Sequence, residues 1–126
     1  MKIITHKFGE IEFDTDKIIS FESGLFGFED LKKFVFIKLD DDFFYWLNSI
    51  DQPDIAFPLV GTRLLDVVYP SITEFEPFGI VNLNRDPMKI TINLKSPVFI
   101  SQDEKKGFQK IFDLEEYSLN YSLFKE

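Results

Sequence analysis

The chain has no cysteine in its 126 residues. That excludes a disulfide framework, a thiolate zinc site and a cysteine nucleophile, and it fits a reducing compartment. Histidine is nearly absent as well: His6 stands alone near the N-terminus, where a structural or surface role is expected rather than a base or ligand. No stretch approaches the roughly 18 apolar residues that span a bilayer, and residues 1–7 contain no signal-peptide core, so a soluble, unprocessed chain away from the membrane is expected. Basic charge is in deficit too. Fourteen Lys and Arg face 22 Asp and Glu, for a formal net charge of −8. That balance argues against direct contact with nucleic-acid phosphates and leaves a basic protein partner open.

What the chain has in abundance is phenylalanine, 16 residues of it. Phe together with Ile favours pleated surfaces, so a mainly β domain is expected. The organising stretch is 18–36. Ile18 to Phe21 reads as a strand, and Gly24 and Gly27 then bracket Leu25 and Phe26, giving a tight corner with an apolar tip. Phe28 and Leu31 share a helical spacing that predicts a helix of one or two turns, before 34–39 becomes strand again. Leu25 and Phe26 either fold back as a plug over the end of a barrel or stay exposed for a partner.

Elsewhere the pattern is of short strands and turns. Residues 2–8 and 10–14 read as strands, the second with strict alternation of acidic and apolar residues. The 40–42 aspartates form a turn. Residues 43–50 hold the single Trp, and alternation there leaves Phe43 and Tyr45, or Phe44 and Trp46, nearer the surface. Pro58 marks 55–60 as an edge or bulged strand, 67–69 reads as extended, 78–83 as strand, and 84–87 as a hairpin turn. In 88–100 the apolar residues Met88, Ile90, Ile92, Leu94, Val98 and Ile100 share one parity. A strand that long crosses a barrel or bends between two sheets, with Pro97 at the bend. Residues 108–112 return as strand. Tyr117, Leu119, Tyr121 and Leu123 alternate as a last edge strand or an arm laid on a partner.

Catalytic patterns are weak. No Ser lies in a nucleophile elbow. The carboxylate pairs Glu10/Glu12, Glu74/Glu76 and Glu115/Glu116 read as solvated faces and turns rather than an acid and nucleophile. Residues 40–42 lack the spaced ligands of a calcium loop. The 24–27 corner sets bulky apolar groups where a phosphate would need room.

Three segments together resemble the flagellar assembly factor FliW family. Residues 19–29, Ile-Ser-Phe-Glu-Ser-Gly-Leu-Phe-Gly-Phe-Glu, are similar to its I-x-F-x-x-G-L-x-G-F-E signature. Residues 46–49, Trp-Leu-Asn-Ser, resemble its L-Q-S segment, and 88–100 resembles its M-T-x-N-L-x-A-P-I/V-x-I strand through Asn93, Leu94, Lys95, Pro97 and Val98. Three departures stand out: Asn48 replaces Gln, Phe108 stands where a G-R-Q motif has Arg, and 69–78 is shorter than a helical insertion usual there. The resemblance implies one small, mainly antiparallel, barrel-like domain over 1–126 with one or two short helices and no catalysis, cofactor or metal. It further implies a cytoplasmic monomer that binds flagellin and antagonises the RNA-binding repressor CsrA. Candidate partner contacts are Gly24, Leu25, Phe26, Gly27, Phe28, Glu29, Trp46, Leu47, Asn48, Ser49, Asn93 and Lys95. The alternative is a carbohydrate-binding β-module stacking sugars on Tyr45, Trp46 and Tyr69.

Overall fold

The computed structural model describes residues 1–5, 7–40 and 42–124; His6 and Asp41, and with them the expectations for the lone histidine and the middle of the aspartate turn, lie outside the described residues. Eleven strands follow in order: β1 (Lys2–Thr5), β2 (Gly9–Glu12), β3 (Ile18–Ser20), β4 (Lys33–Lys38), β5 (Tyr45–Ser49), β6 (Ala56–Gly61), β7 (Glu76–Asn82), β8 (Thr91–Ile92), β9 (Val98–Ser101), β10 (Lys106–Gln109) and β11 (Tyr121–Ser122). Single 3-10 turns at Thr15–Lys17, Thr62–Leu64 and Pro87–Lys89 are the helical pieces among the described residues.

Strands β3, β4, β5, β6, β7, β9 and β10 close into a seven-stranded barrel, since β7 pairs with β9 and β10 returns to β3. Every barrel pairing is antiparallel except β10 with β3, which is parallel and one residue pair long, Lys106 opposite Ser20. Closure removes the unpaired edges that an open sheet of this composition would expose.

Alternation decides what lies inside. Phe21, Phe34, Leu47, Leu59 and Val98 fill the barrel with no exposed surface. Each large side chain so buried stabilises by about 2 kcal/mol. The opposite parity of β6 and β7, Val60 and Val81, faces outward and meets a second cluster with Ile92, Leu94, Tyr69 and Tyr117. The C-terminal tail covers this outer face, and β11 pairs with β8 as an edge strand. The Tyr69 hydroxyl donates to the Leu94 carbonyl at 2.5 Å, and burial, followed by the neighbouring Tyr117 and Asp66, raises its pKa well above the phenolic range. Tyr117 in turn donates to Asp66 Oδ2 at 3.1 Å.

Four sequence expectations are corrected. No helix follows Phe28. A single reverse turn stands in its place, Leu31 N–H donating to Phe28 O, after two earlier turns closed by Gly24 N–H on Phe21 O and Phe28 N–H on Leu25 O. A spacing of three serves turn closure as well as a helix, and β4 already begins at Lys33. Residues 67–69 form a turn, with Tyr69 N–H on Asp66 O. β6 lies between β5 and β7 rather than at an edge, and Pro58 is accommodated because the ladder to β7 begins only at Leu59. The long strand over 88–100 is broken. Its halves become β8 and β9, which pair with the two ends of β7, because Asn93 Oδ1 captures the Lys95 and Ser96 amides at 3.0 and 2.9 Å. The break falls directly before Pro97.

Candidate functional site

The corner at 24–29 is built by its two glycines. Gly24 sits at φ +68°, and a Cβ there would lie 2.6 Å from Glu29 Cα, so the chain doubles back on itself with backbone against backbone. Gly27 takes φ +85° in open space, as the third residue of a type II turn requires. The Glu29 carboxylate accepts from Gly27 N–H at 2.9 Å. That bond, then the amide of Glu29 itself, holds the exposed Glu29 carboxyl below its usual pKa, with Lys32 adding to the effect.

This geometry splits the two apolar tip residues. Leu25 is buried in the barrel core as a plug, while Phe26 is 48% exposed. Phe28, also on the surface, sets its ring at 75° to Phe57 with centroids 5.0 Å apart. Together with Ile80 and Asn93, these side chains line a groove of about 410 Å³ across the corner, β6, β7 and the 93–96 turn.

Gln109 ties the groove's two banks together. Its Oε1 accepts from Phe26 N–H at 2.9 Å and its Nε2 donates to Ser96 O at 3.0 Å. Sequence reasoning singled out the corner and Asn93 but missed Gln109, Phe57 and Ile80. A Gln two residues after Gly107 was visible, yet its contact with Phe26 spans 83 positions and leaves no local pattern. Lys95 lies on the same turn as Asn93, half-buried, with its ammonium 3.9 Å from the exposed Asp113, a separation that contributes little in water.

The 46–49 segment does not join this groove. Trp46 is 4% exposed, and Leu47, Asn48 and Ser49 have no exposed surface. Trp46 faces outward but is covered: the Phe8 ring packs edge-on at 5.5 Å, the Lys7 ammonium lies 4.6 Å from the ring centre, and the indole N–H donates to Asp42 Oδ2 at 2.6 Å. Asn48 Nδ2 donates to the Ser49 and Pro53 carbonyls, and Ser49 Oγ accepts from Gln52 N–H. These residues build a turn and lie beneath the surface, unlike the corner at 24–29.

The sugar-stacking alternative loses its platform for the same reason. Trp46 and Tyr69 are buried, and Tyr45 packs at 5.2 Å on both Phe36 and Phe78 at the barrel core. The paired carboxylates Glu10/Glu12, Glu74/Glu76 and Glu115/Glu116 are all exposed and lie in β2, beside the start of β7 and after β10. Among the described residues no group of three or more His, Asp or Glu side chains is placed to hold a metal ion.

Comparison with known proteins agrees along the whole chain. The profile of the family described as FliW protein matches residues 2–74 and 61–123. The flagellar assembly factor FliW of Caldicellulosiruptor saccharolyticus is 39% identical over 131 residues, covering 93% of this chain and 86% of the relative. That of Lachnospira eligens is 34% identical over 143 residues, covering 98% and 95%. A crystal structure of the flagellar assembly factor FliW superposes with a TM-score of 0.86 at 26% identity, covering 99% of this chain and 98% of that one.

Proposed function

The chain belongs to the FliW family of flagellar assembly factors, and on that premise we propose that it binds flagellin and antagonises a CsrA-type translational repressor, coupling flagellin synthesis to export. In this reading it is a cytoplasmic, monomeric, non-catalytic protein acting as a single domain over 1–126. The observation that carries the reading is the groove in which Gln109 staples the 24–29 corner to the 93–96 turn. It brings two separate stretches of the family signature to one surface and leaves Phe26 and Phe28 available on it. Exposed aromatics over a packed floor are the side chains that most often anchor a protein partner.

Charge supports the second partner. A net charge of −8 raises the encounter rate with a basic RNA-binding protein and disfavours the RNA itself. By linkage, such an antagonist binds preferentially to the repressor state that binds RNA poorly.

Titrating purified flagellin and CsrA against the protein, separately and in competition, tests the reading. Phe26→Asp is expected to weaken flagellin binding by about tenfold while leaving thermal stability little changed, since the Phe26 side chain is on the surface. Failure of both partners to bind at low salt overturns the proposal. Undiminished flagellin binding by Phe26→Asp moves the contact away from this groove.

A further inference from the structure

The parallel seam of the barrel carries a feature that the flagellin and CsrA reading does not use. Because the ladder between β3 and β10 is a single residue pair, the two strands diverge there and open a groove of about 690 Å³. Ser20 is opposite Lys106 on one side and opposite Lys33 on the other. Directly opposed residues project from the same face of a sheet, so two ammonium groups flank one small hydroxyl, with backbones about 10 Å apart across two strand spacings. Lys32 extends the basic rim, its ammonium donating to the Glu22 carbonyl at 3.1 Å. Neither Lys33 nor Lys106 makes an ion pair with a described residue. Glu22 is the one acidic side chain in the lining.

The floor is apolar. Phe75 and Phe108 pack with ring centroids 5.1 Å apart, and both remain half-buried at the groove. Gly107 lets β10 pass close over the buried Phe21 ring, which a Cβ there would run into. Three of the chain's 14 basic residues thus surround an aromatic floor in a protein of net charge −8.

We propose that this seam groove binds an acidic peptide segment, an extended stretch whose carboxylates meet Lys33 and Lys106 while a neighbouring aliphatic or aromatic side chain rests on Phe75 and Phe108. The chemistry favours a short peptide over a polyanion. The field of the whole molecule repels a nucleic acid or an anionic membrane, whereas a segment with a few charges responds to the lysines within a Debye length, about 10 Å at 0.1 M salt. The site is distinct from the Phe26 groove, so the two proposals fail independently.

Fluorescence anisotropy with a labelled peptide alternating Glu with Leu and Phe, beside its Gln-for-Glu counterpart, tests the inference. The acidic peptide is expected to bind with a dissociation constant below about 1 mM, and the Gln counterpart about tenfold more weakly. Lys33→Glu combined with Lys106→Glu is expected to abolish the difference between the peptides without changing the melting temperature, both side chains being exposed. If that pair fails to fold, Lys33→Gln with Lys106→Gln carries the same test. Equal binding of the two peptides, wild-type affinity in the lysine variants, or no binding of the acidic peptide overturns the proposal. So does tighter lysine-dependent binding to phosphatidylserine vesicles or to an oligonucleotide.

Discussion

The corner at 24–29 and the strand end at 46–49 both carry the resemblance to the family signature, yet one surfaces and the other is sealed. Phe26 and Phe28 lie at the edge of a groove, held by turns, glycines and one glutamine. Leu47 lies inside the barrel, and Asn48 and Ser49 bond the turn that follows β5. The difference teaches that a motif marks a constraint without saying which kind. At 46–49 the constraint is packing and hydrogen bonding, while at 24–29 it is backbone shape, with contact left to the side chains that the shape displays.

The largest expected effect comes from Leu47→Ala. It empties a site with no exposed surface on a strand paired on both sides, and should cost about 3 kcal/mol in urea denaturation. Flagellin binding should remain at wild-type affinity wherever the variant is still folded. Lost binding in a fully folded Leu47→Ala protein would break the contrast by making the buried segment part of a contact.

Next in size is the pair Gly24→Ala and Gly27→Ala. Both glycines hold positive φ, but only Gly24 is pressed against backbone, with Glu29 Cα at 2.6 Å from an added Cβ. Gly27→Ala should cost about 1 kcal/mol for the left-handed conformation alone. Gly24→Ala should cost about twice that, because the 21–31 turns must shift as well. Thermal melts of the two single variants give the ordering, and equal costs would mean that the close approach at Gly24 relaxes without strain.

The parts of this fold that were legible in the sequence are the local ones. Alternation in 10–14 predicts an antiparallel strand, seen as β2 paired with β1, and the parity of Ile90, Ile92 and Leu94 matches their burial although the strand itself is interrupted. The interruption was not legible because it turns on one side chain, Asn93, choosing two backbone amides over the ladder. The helix predicted after Phe28 failed through an ambiguity of spacing, since the 28–31 turn runs directly into β4. At Trp46 alternation leaves the direction open between Phe43/Tyr45 and Phe44/Trp46, and the cover that buries Trp46, supplied by Phe8 and Lys7, comes from a hairpin 38 positions away in the chain. The candidate groove was half legible: its corner carries a glycine signature, whereas Phe57, Ile80 and Gln109 reach it only through the barrel's closure.

Gln109→Ala sharpens the comparison on the corner's side. The Phe26 amide it serves is exposed, so water replaces the lost bond and stability should fall by less than about 1 kcal/mol. What should change is local: amide hydrogen exchange at Phe26 rises, and flagellin affinity drops because the two banks of the groove are no longer tied. Unchanged exchange at Phe26 would show that the corner's own turns suffice to hold it.

The smallest effect is a titration. Glu29 has its folded pKa depressed, first by the Gly27 amide. A carboxylate of that kind contributes stability that is fully present above the unfolded value, 4.5, and is lost as the pH falls through the folded value. The corner should therefore loosen only below the ordinary glutamate range. Because Glu29 is exposed, the change belongs in the Gly27 amide shift and its exchange rate rather than in the global melt. Glu29→Gln should make the Gly27 resonance independent of pH over that window while leaving Leu47 as protected as before. A Gly27 titration that persists in the variant would assign the pH response to another group and leave the corner's shape to its turns, glycines and Gln109.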